Sequence, residues 1–175
     1  MKHILTPILA LSLVAGVIHA TADEVAVIQP ESGNTFSIDT GGFVKTTDFD
    51  NATSGVFLGV TAYPNLFTPD LGFYGDARFL DNSGTFVDEG HVGALLRITE
   101  GLRTSLALYG GGWADFQEGF DNVDRDDLGL EAGLRWETQL FDSPIRLGIK
   151  AGWEKQLNEN ADHQAVGGAF LSYAF

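Results

Sequence analysis

The sequence predicts an all-β fold, an eight-stranded antiparallel up-and-down transmembrane β-barrel, from three observations. Apolar residues recur at every second position in eight stretches, which is the period of a strand and not of a helix. In the same stretches the charged residues fall on the face opposite the apolar one. Each stretch is close to the roughly 9 to 11 residues that a tilted strand needs to cross a bilayer.

Residues 1–22 have the three parts of a secretory signal peptide. A positive start at Lys2 precedes an uncharged run over 4–18, and Ala20 and Ala22 supply the small residues of a cleavage site. The run is shorter than a membrane-spanning helix, which needs about 20 residues. We expect cleavage after Ala22, or else after Ala20, and export of the mature chain. A retained amphipathic anchor is the alternative.

The composition restricts the class of function. The formal net charge is −14, so no nucleic-acid partner is expected, because nothing would compensate the repulsion from phosphates. There is no cysteine, so a disulfide cannot stabilise an exported domain. The 22 glycines, together with the aromatic residues, suit a tightly curved sheet.

A polar lead over 23–34, interpreted as a short periplasmic extension, precedes a barrel over 35–175. The first four strands are predicted at 35–45, 56–63, 71–80 and about 86–98. Their alternating apolar positions are Phe36, Ile38 and Val44; Val56, Leu58 and Val60; Phe73, Ala77 and Phe79; and Val92, Ala94, Leu96 and Ile98. In the second strand this face alternates against Phe57 and Tyr63, and its facing is left open. Pro64 marks the turn that follows.

The last four strands are predicted at 102–115, 128–137, 145–154 and 163–175. Their alternating apolar positions are Leu102, Leu106 and Leu108; Leu128, Leu130, Leu134 and Trp136; Ile145, Leu147, Ile149 and Trp153; and Ala165, Ala169, Leu171, Tyr173 and Phe175. On the other face of the last strand, Val166 and Phe170 are the bulky apolar residues. The strand count is even, as in bacterial barrels formed by one chain.

The connections between the strands differ in kind. Those after strands one, three, five and seven are polar loops, of which 116–127 is the longest, and the turns after strands four and six are tight. Membrane barrels have long extracellular loops and short periplasmic turns. We therefore expect both termini to lie in the periplasm.

The charged face of the strands predicts an interior charge network of seven acids, seven bases and one histidine. Its members are Asp39, Lys45, Asp76, Arg78, Glu89, His91, Arg97, Arg103, Asp115, Glu131, Arg135, Glu137, Arg146, Lys150 and Glu154. An eight-stranded barrel is just wide enough for side chains to fill, and buried charges have to pair. We expect a structural salt-bridge core. A narrow channel, opened transiently by exchange of partners, is the alternative.

Alternation alone does not say which face points inward. A soluble eight-stranded barrel of the lipocalin kind would show the same pattern with its charges outside. The membrane barrel is favoured because Trp136, Trp153, Tyr173 and Phe175 lie near strand ends, where an aromatic girdle meets the membrane interface. The terminal pattern Tyr-x-Phe favours it as well.

No catalytic residue and no cofactor are predicted. After the signal peptide the histidines are His91 and His163, and neither has a serine beside it. Ser105 and Ser172 have no spacing that links them to a base, so a nucleophile activated by a neighbouring group is not recognisable. His91 is expected to be an interior partner of Glu89 or of Asp88.

The longest loop is acidic and is the one candidate for weak cation binding. Its carboxylates are Asp121, Asp124, Asp126 and Asp127. They supply hard oxygen ligands, but the glycine and the distal glutamate of an EF-hand loop are missing, so a solvated acidic loop is the favoured interpretation. The same loop contains the apolar residues Phe116, Phe120 and Val123. They would suit contact with another surface, so adhesion remains an alternative.

The signal peptide, the eight alternating strands, the inward charges and the ending Ser172-Tyr173-Ala174-Phe175 resemble the small eight-stranded outer-membrane barrels, the class of OmpX and the OmpA transmembrane domain. The last three strands are also similar to those of YfaZ-type outer-membrane proteins. The resemblance implies a location in the outer membrane of a Gram-negative bacterium and a role in envelope integrity, surface interaction or adhesion. A narrow porin-like channel and a lipid A-modifying enzyme are the alternatives.

The same resemblance implies the partners. They are outer-membrane lipid and lipopolysaccharide, a surface ligand, and the barrel-assembly machinery, for which Tyr173 and Phe175 form the signature. The protein is expected to be a monomer.

Overall fold

The structure, a computed structural model, describes residues 35–47, 52–81, 87–101, 103–117, 123–158 and 163–175. The predicted signal peptide and polar lead lie outside these residues. Eight strands are present: β1 Thr35–Thr46, β2 Ala52–Tyr63, β3 Leu71–Leu80, β4 Glu89–Glu100, β5 Thr104–Asp115, β6 Leu128–Gln139, β7 Ile145–Gln156 and β8 His163–Ala174. A short 3-10 helix, Arg125–Asp127, precedes β6. Among the described residues, no helix has the length and apolar character needed to cross a membrane.

The strands form one closed antiparallel barrel in which each strand pairs with its neighbours in the sequence. The last strand closes it against the first. Gly42 of β1 lies opposite Val56 of β2 on one side and opposite Ala169 of β8 on the other. The predicted eight-stranded antiparallel up-and-down barrel is confirmed.

The exterior of the barrel is apolar and the interior is charged. In β2, Leu58 is 53% exposed whereas Phe57 is 3% exposed, which settles the facing of that strand. Large apolar side chains are exposed on every strand, whereas Arg78 and Glu154 are almost completely buried. A soluble barrel has the opposite distribution, because burial of apolar surface is what stabilises it in water.

Three strands begin at other positions than their sequence patterns predict. β4 begins at Glu89, about three residues later than the predicted start at 86. β2 begins four residues earlier, at Ala52, because Thr53 pairs with Lys45 and so continues the ladder with β1. β5 begins two residues later, at Thr104, whose carbonyl oxygen accepts a hydrogen bond of 2.7 Å from the amide of Gly101 in the preceding tight turn.

Glycines on the interior face make room for aromatic side chains from neighbouring strands. A methyl group added at Gly148 of β7 would overlap the ring of Phe170 in β8, and one added at Gly129 of β6 would overlap the ring of Trp113 in β5. An eight-stranded barrel has little interior volume, so each large ring requires a position without a side chain opposite it.

Candidate functional site

Arg78 of β3 lies at the centre of the larger group of interior charges. Its Nη1 is 2.5 Å from Glu154 Oε1 of β7, and its Nη2 is 3.2 Å from Glu131 Oε2 of β6. Its Nε is 3.3 Å from Asp76 Oδ1, and Nη1 is 3.8 Å from Glu89 Oε2. The arginine side chain is fully buried, and the four carboxylates compensate its desolvation.

Two buried lysines pair with the outer members of this group. Lys45 of β1 donates to Glu89, and Lys150 Nζ of β7 lies 3.0 Å from Asp76 Oδ2. The contacts join strands from opposite sides of the barrel. We refer to the following residues as the Arg78 cluster: Lys45, Asp76, Arg78, Glu89, His91, Glu131, Lys150 and Glu154.

His91 of β4 is buried between two glutamates of the Arg78 cluster. Its Nε2 is 3.3 Å from Glu89 Oε2, and its Nδ1 is 3.0 Å from Glu131 Oε1. The imidazole stacks on Trp113, with ring centroids 6.0 Å apart. Tyr74 donates a hydrogen bond of 2.7 Å to the same oxygen of Glu131. The expected partner Glu89 is therefore present, and Glu131 is a second one that the sequence did not indicate.

A second group of interior charges, the Arg135 cluster, lies nearer the turns. Arg135 Nη2 is 2.9 Å from Asp39 Oδ2, and its Nε donates to Glu137. The hydroxyl of Thr61 donates to Asp39 at 2.7 Å and accepts from Arg135 at 3.0 Å. Arg146 Nη1 is 3.6 Å from Glu137 Oε2 and is partly exposed. Asp39, Thr61, Arg135, Glu137 and Arg146 make up this cluster.

Three buried phenylalanines, Phe43, Phe57 and Phe170, pack together in the interior. Each lies under a cation of the two clusters: the guanidinium of Arg78 lies 4.9 Å from the Phe43 ring, that of Arg135 lies 4.3 Å from the Phe170 ring, and Lys150 Nζ lies 4.2 Å from the Phe57 ring. These cation–π contacts help to compensate the loss of water around the cations. In the sequence, the only sign of these contacts was that the three phenylalanines lie on the same strand faces as the charged residues.

A cavity of about 20 Å³ separates the two clusters and is lined by Asp39, Asp76, Tyr109, Arg135 and Lys150 among others. This volume has room for about one water molecule. Large charged and aromatic side chains therefore surround this small cavity in the middle of the barrel.

Two predicted members of the charge network lie at the ends of the barrel. Arg97 Nη1 is 2.7 Å from Glu100 Oε2. In a regular strand, residues three apart point to opposite faces, but the register between β4 and β5 shifts at 97–99, so this bulge turns Glu100 to the same side as Arg97. Asp115, the last residue of β5, accepts a hydrogen bond of 2.8 Å from the amide of Gln117 at the loop end.

Arg103 does not belong to the interior network, and this part of the prediction is wrong. Its side chain is 57% exposed and lies 3.0 Å from Asp142, which is itself exposed. The physical reason is that β5 begins only at Thr104, so Arg103 belongs to the tight turn and not to the alternating face.

In the acidic loop, the structure describes three of the four predicted carboxylates, whereas Asp121 lies outside the described residues. Asp127 Oδ2 accepts a hydrogen bond of 2.9 Å from the amide of Asp124, and Asp124 Oδ1 accepts one of 2.8 Å from the amide of Asp126. These carboxylates therefore stabilise their own turn before β6.

The predicted assembly signature lies at the turn end of the barrel. The rings of Tyr173 and Phe175 are 5.0 Å apart, and the Phe175 ring is 5.9 Å from that of Phe36 on β1. The amide of Phe175 donates a hydrogen bond of 2.8 Å to the carbonyl of Phe36. Tyr173 and Phe175 are exposed on the outer surface, so this aromatic group spans the seam that closes the barrel.

The sequence matches no protein-family model and no curated protein. Solved structures do match. A de novo designed transmembrane β-barrel has a TM-score of 0.55 and 15% identity, with 85% of this chain and all of that chain covered. Neisserial surface protein A has a TM-score of 0.52 and 11% identity over 82% of this chain and 97% of that one. Another designed barrel, TMB2.3, has a TM-score of 0.52 and 17% identity over 82% and 96%.

At these low sequence identities, the matches show a similarity of fold. An apolar exterior, a charged interior and closure of β1 on β8 are combined in the described residues. The chain has the eight-stranded antiparallel barrel fold of the small bacterial outer-membrane barrels, which is the class that the sequence predicted.

Proposed function

We propose that the protein is a monomeric integral barrel of the outer membrane of a Gram-negative bacterium, with a filled interior, and that it acts at the cell surface and not as a pore or an enzyme. The observation that carries the proposal is the distribution of side chains. Val92, Leu58 and Leu134 are about half exposed or more on the outside, whereas Arg78 and Glu154 are buried inside. Lipid is the environment in which such an exterior is stable.

The acidic loops support a role at the surface. The connections after β1, β3, β5 and β7 contain eleven acidic residues and a single basic one, Arg125. The turns at the other end contain only Asp70, Arg103 and Asp142 as charged residues. If both termini lie in the periplasm, the acidic end faces outward. It suits a cationic surface ligand in adhesion, or divalent cations that bridge it to lipopolysaccharide phosphates and maintain the envelope.

Cell fractionation and gel migration test the location. A folded membrane barrel resists detergent until it is heated, so boiled and unboiled outer-membrane protein should migrate differently. A protein found in the periplasm, with no heat-dependent shift, would exclude the proposal.

A test of the surface role is to replace the loop carboxylates Asp121, Asp124, Asp126 and Asp127 by asparagine. We expect the variant to keep the heat-dependent shift and to lose the contribution of the protein to envelope integrity, measured as exclusion of the apolar dye N-phenylnaphthylamine relative to a deletion strain. Equal exclusion by the wild-type, variant and deletion strains would contradict a role in envelope integrity.

A narrow channel is the second candidate, and the cavity between the two charge clusters is the observation that favours it. Exchange of partners around Asp39, Asp76 and Lys150 would have to widen a cavity that has room for about one water molecule. Single-channel steps in planar bilayers would support the channel. A silent bilayer that contains heat-modifiable protein would favour the filled barrel.

A further inference from the structure

We propose that His91, Glu131 and Glu154 bind one divalent transition-metal ion of the zinc class inside the barrel. They lie on β4, β6 and β7, and all three are buried. The ligand atoms that they offer lie within 4.8 Å of one another. Because the three residues come from three strands, no spacing in the sequence marks them as a set.

The atoms that Arg78 leaves free are the ones that a metal would use. Arg78 contacts Oε1 of Glu154 and Oε2 of Glu131. Glu154 Oε2 is buried and has no hydrogen-bond partner. His91 Nδ1 is buried as well and faces Glu131 Oε1 at 3.0 Å, so a metal ion would replace this contact by binding both atoms. Buried polar atoms without partners are rare, and a bound ion is one explanation for them.

The groups around the three ligands have the arrangement of a second shell. His91 Nε2 lies 3.3 Å from Glu89 Oε2, so an imidazole that binds metal through Nδ1 can donate its other N–H to a carboxylate. Tyr74 donates to Glu131 Oε1, and the Trp113 ring stacks on the imidazole. These contacts fix the orientation of two of the three ligands.

The charge balance also favours a cation at this position. The Arg78 cluster contains four carboxylates, Asp76, Glu89, Glu131 and Glu154, against three cations, Lys45, Arg78 and Lys150. With a neutral imidazole, the cluster carries one excess negative charge, which a bound cation compensates. The Arg135 cluster needs none, because its two arginines balance Asp39 and Glu137.

The donor set selects the class of metal. One imidazole nitrogen and two carboxylates suit zinc and its neighbours among the divalent transition metals better than magnesium or calcium, which prefer oxygen alone. Bonds to zinc are about 2.0 to 2.2 Å long, so the three side chains have to move together by small rotations when the ion binds.

Metal titration of the refolded, detergent-solubilised protein tests the proposal, with Zn²⁺ and Co²⁺ as probes. We expect one tightly bound Zn²⁺ per barrel, and Co²⁺ in the same site should show the d–d absorption of a nitrogen- and oxygen-ligated ion. H91N and E154Q should each weaken Zn²⁺ binding by at least about tenfold, in line with the loss of a ligand.

Two control variants separate this site from the rest of the chain. H163N removes an exposed histidine, and the double variant D124N/D126N removes carboxylates of the acidic loop; neither should change the affinity of the tight site. Wild-type protein without stoichiometric Zn²⁺, or H91N and E154Q that bind it as the wild type does, would overturn the proposal. If H91N does not refold, as judged by its gel migration, E154Q decides.

Discussion

The guanidinium of Arg78 lies 2.5 Å from the carboxylate of Glu154, although 76 residues separate them in the sequence. Both side chains are buried, and they reach each other across the interior from β3 and β7. This pair shows how the barrel compensates the burial of its interior charges: the partners come from strands that are not neighbours in the sheet.

Replacing Arg78 by alanine should strongly destabilise the barrel. Four carboxylates would lose their shared cation, and removal of one partner from a buried ion pair costs about 3–5 kcal/mol. Urea unfolding of the protein in lipid vesicles measures the change. Arg103→Ala is the matched control and should cost less than about 1 kcal/mol, because its pair with Asp142 is exposed. Equal costs would mean that the interior pairs are not the source of stability.

Gly148→Ala should lower stability by about 1–3 kcal/mol, the usual cost of forcing extra volume into a packed interior. The added methyl group would overlap Phe170. Gly167→Ala is the control on the neighbouring strand, since nothing lies within 4 Å of the position that its methyl group would take. Unfolding midpoints in urea compare the two. A larger loss for the Gly167 variant would show that the Phe170 ring does not limit the packing.

The bounds of a strand could be predicted from the sequence where its own residues alternate clearly. β3 was predicted to the residue, at Leu71–Leu80, because its apolar residues alternate between a proline-containing turn and a polar loop. β2 was predicted too short, because Ala52–Gly55 carries no strong apolar pattern and owes its strand conformation to pairing with β1.

The candidate site was visible as a set of residues but not as a set of contacts. Alternation places Arg78, Glu131 and Glu154 on the charged faces of their strands. The contacts between these side chains, however, follow from the closure of the barrel and the stagger of its strands. The bulge near Arg97 and the late start of β5 depend on pairing geometry, so the exposure of Arg103 could not be derived from a period of two.

A charge on the apolar exterior should be costly in the middle of the membrane and cheap at its edge. Leu134→Arg places a cation midway along β6 and should cost about 2–4 kcal/mol, whereas Leu128→Arg at the loop end of the same strand should cost about 0–1 kcal/mol. Folding equilibria in lipid vesicles give both values. Similar costs for the two variants would argue against a membrane around this strand.

Phe175→Ala should reduce assembly in cells more than folding in detergent. The resemblance to outer-membrane barrels implies that the assembly machinery recognises Tyr173 and Phe175, and the Phe175 ring contacts the exterior rings of Phe36 and Tyr173. We expect less heat-modifiable protein in the outer membrane but nearly normal refolding of the purified variant. A variant that assembles normally in cells would remove this role.

The most direct test of the central claim is to measure what surrounds the apolar exterior. The natural chain has no cysteine, so single cysteines introduced at Leu58, Leu108 and Leu134 can each carry one spin label. In vesicles, these labels should be accessible to oxygen, which concentrates in lipid, and protected from a water-soluble nickel reagent, while a label at the exposed loop position Gln117 shows the reverse. Strong relaxation by nickel at Leu58, Leu108 and Leu134 would place the apolar face in water and contradict the account.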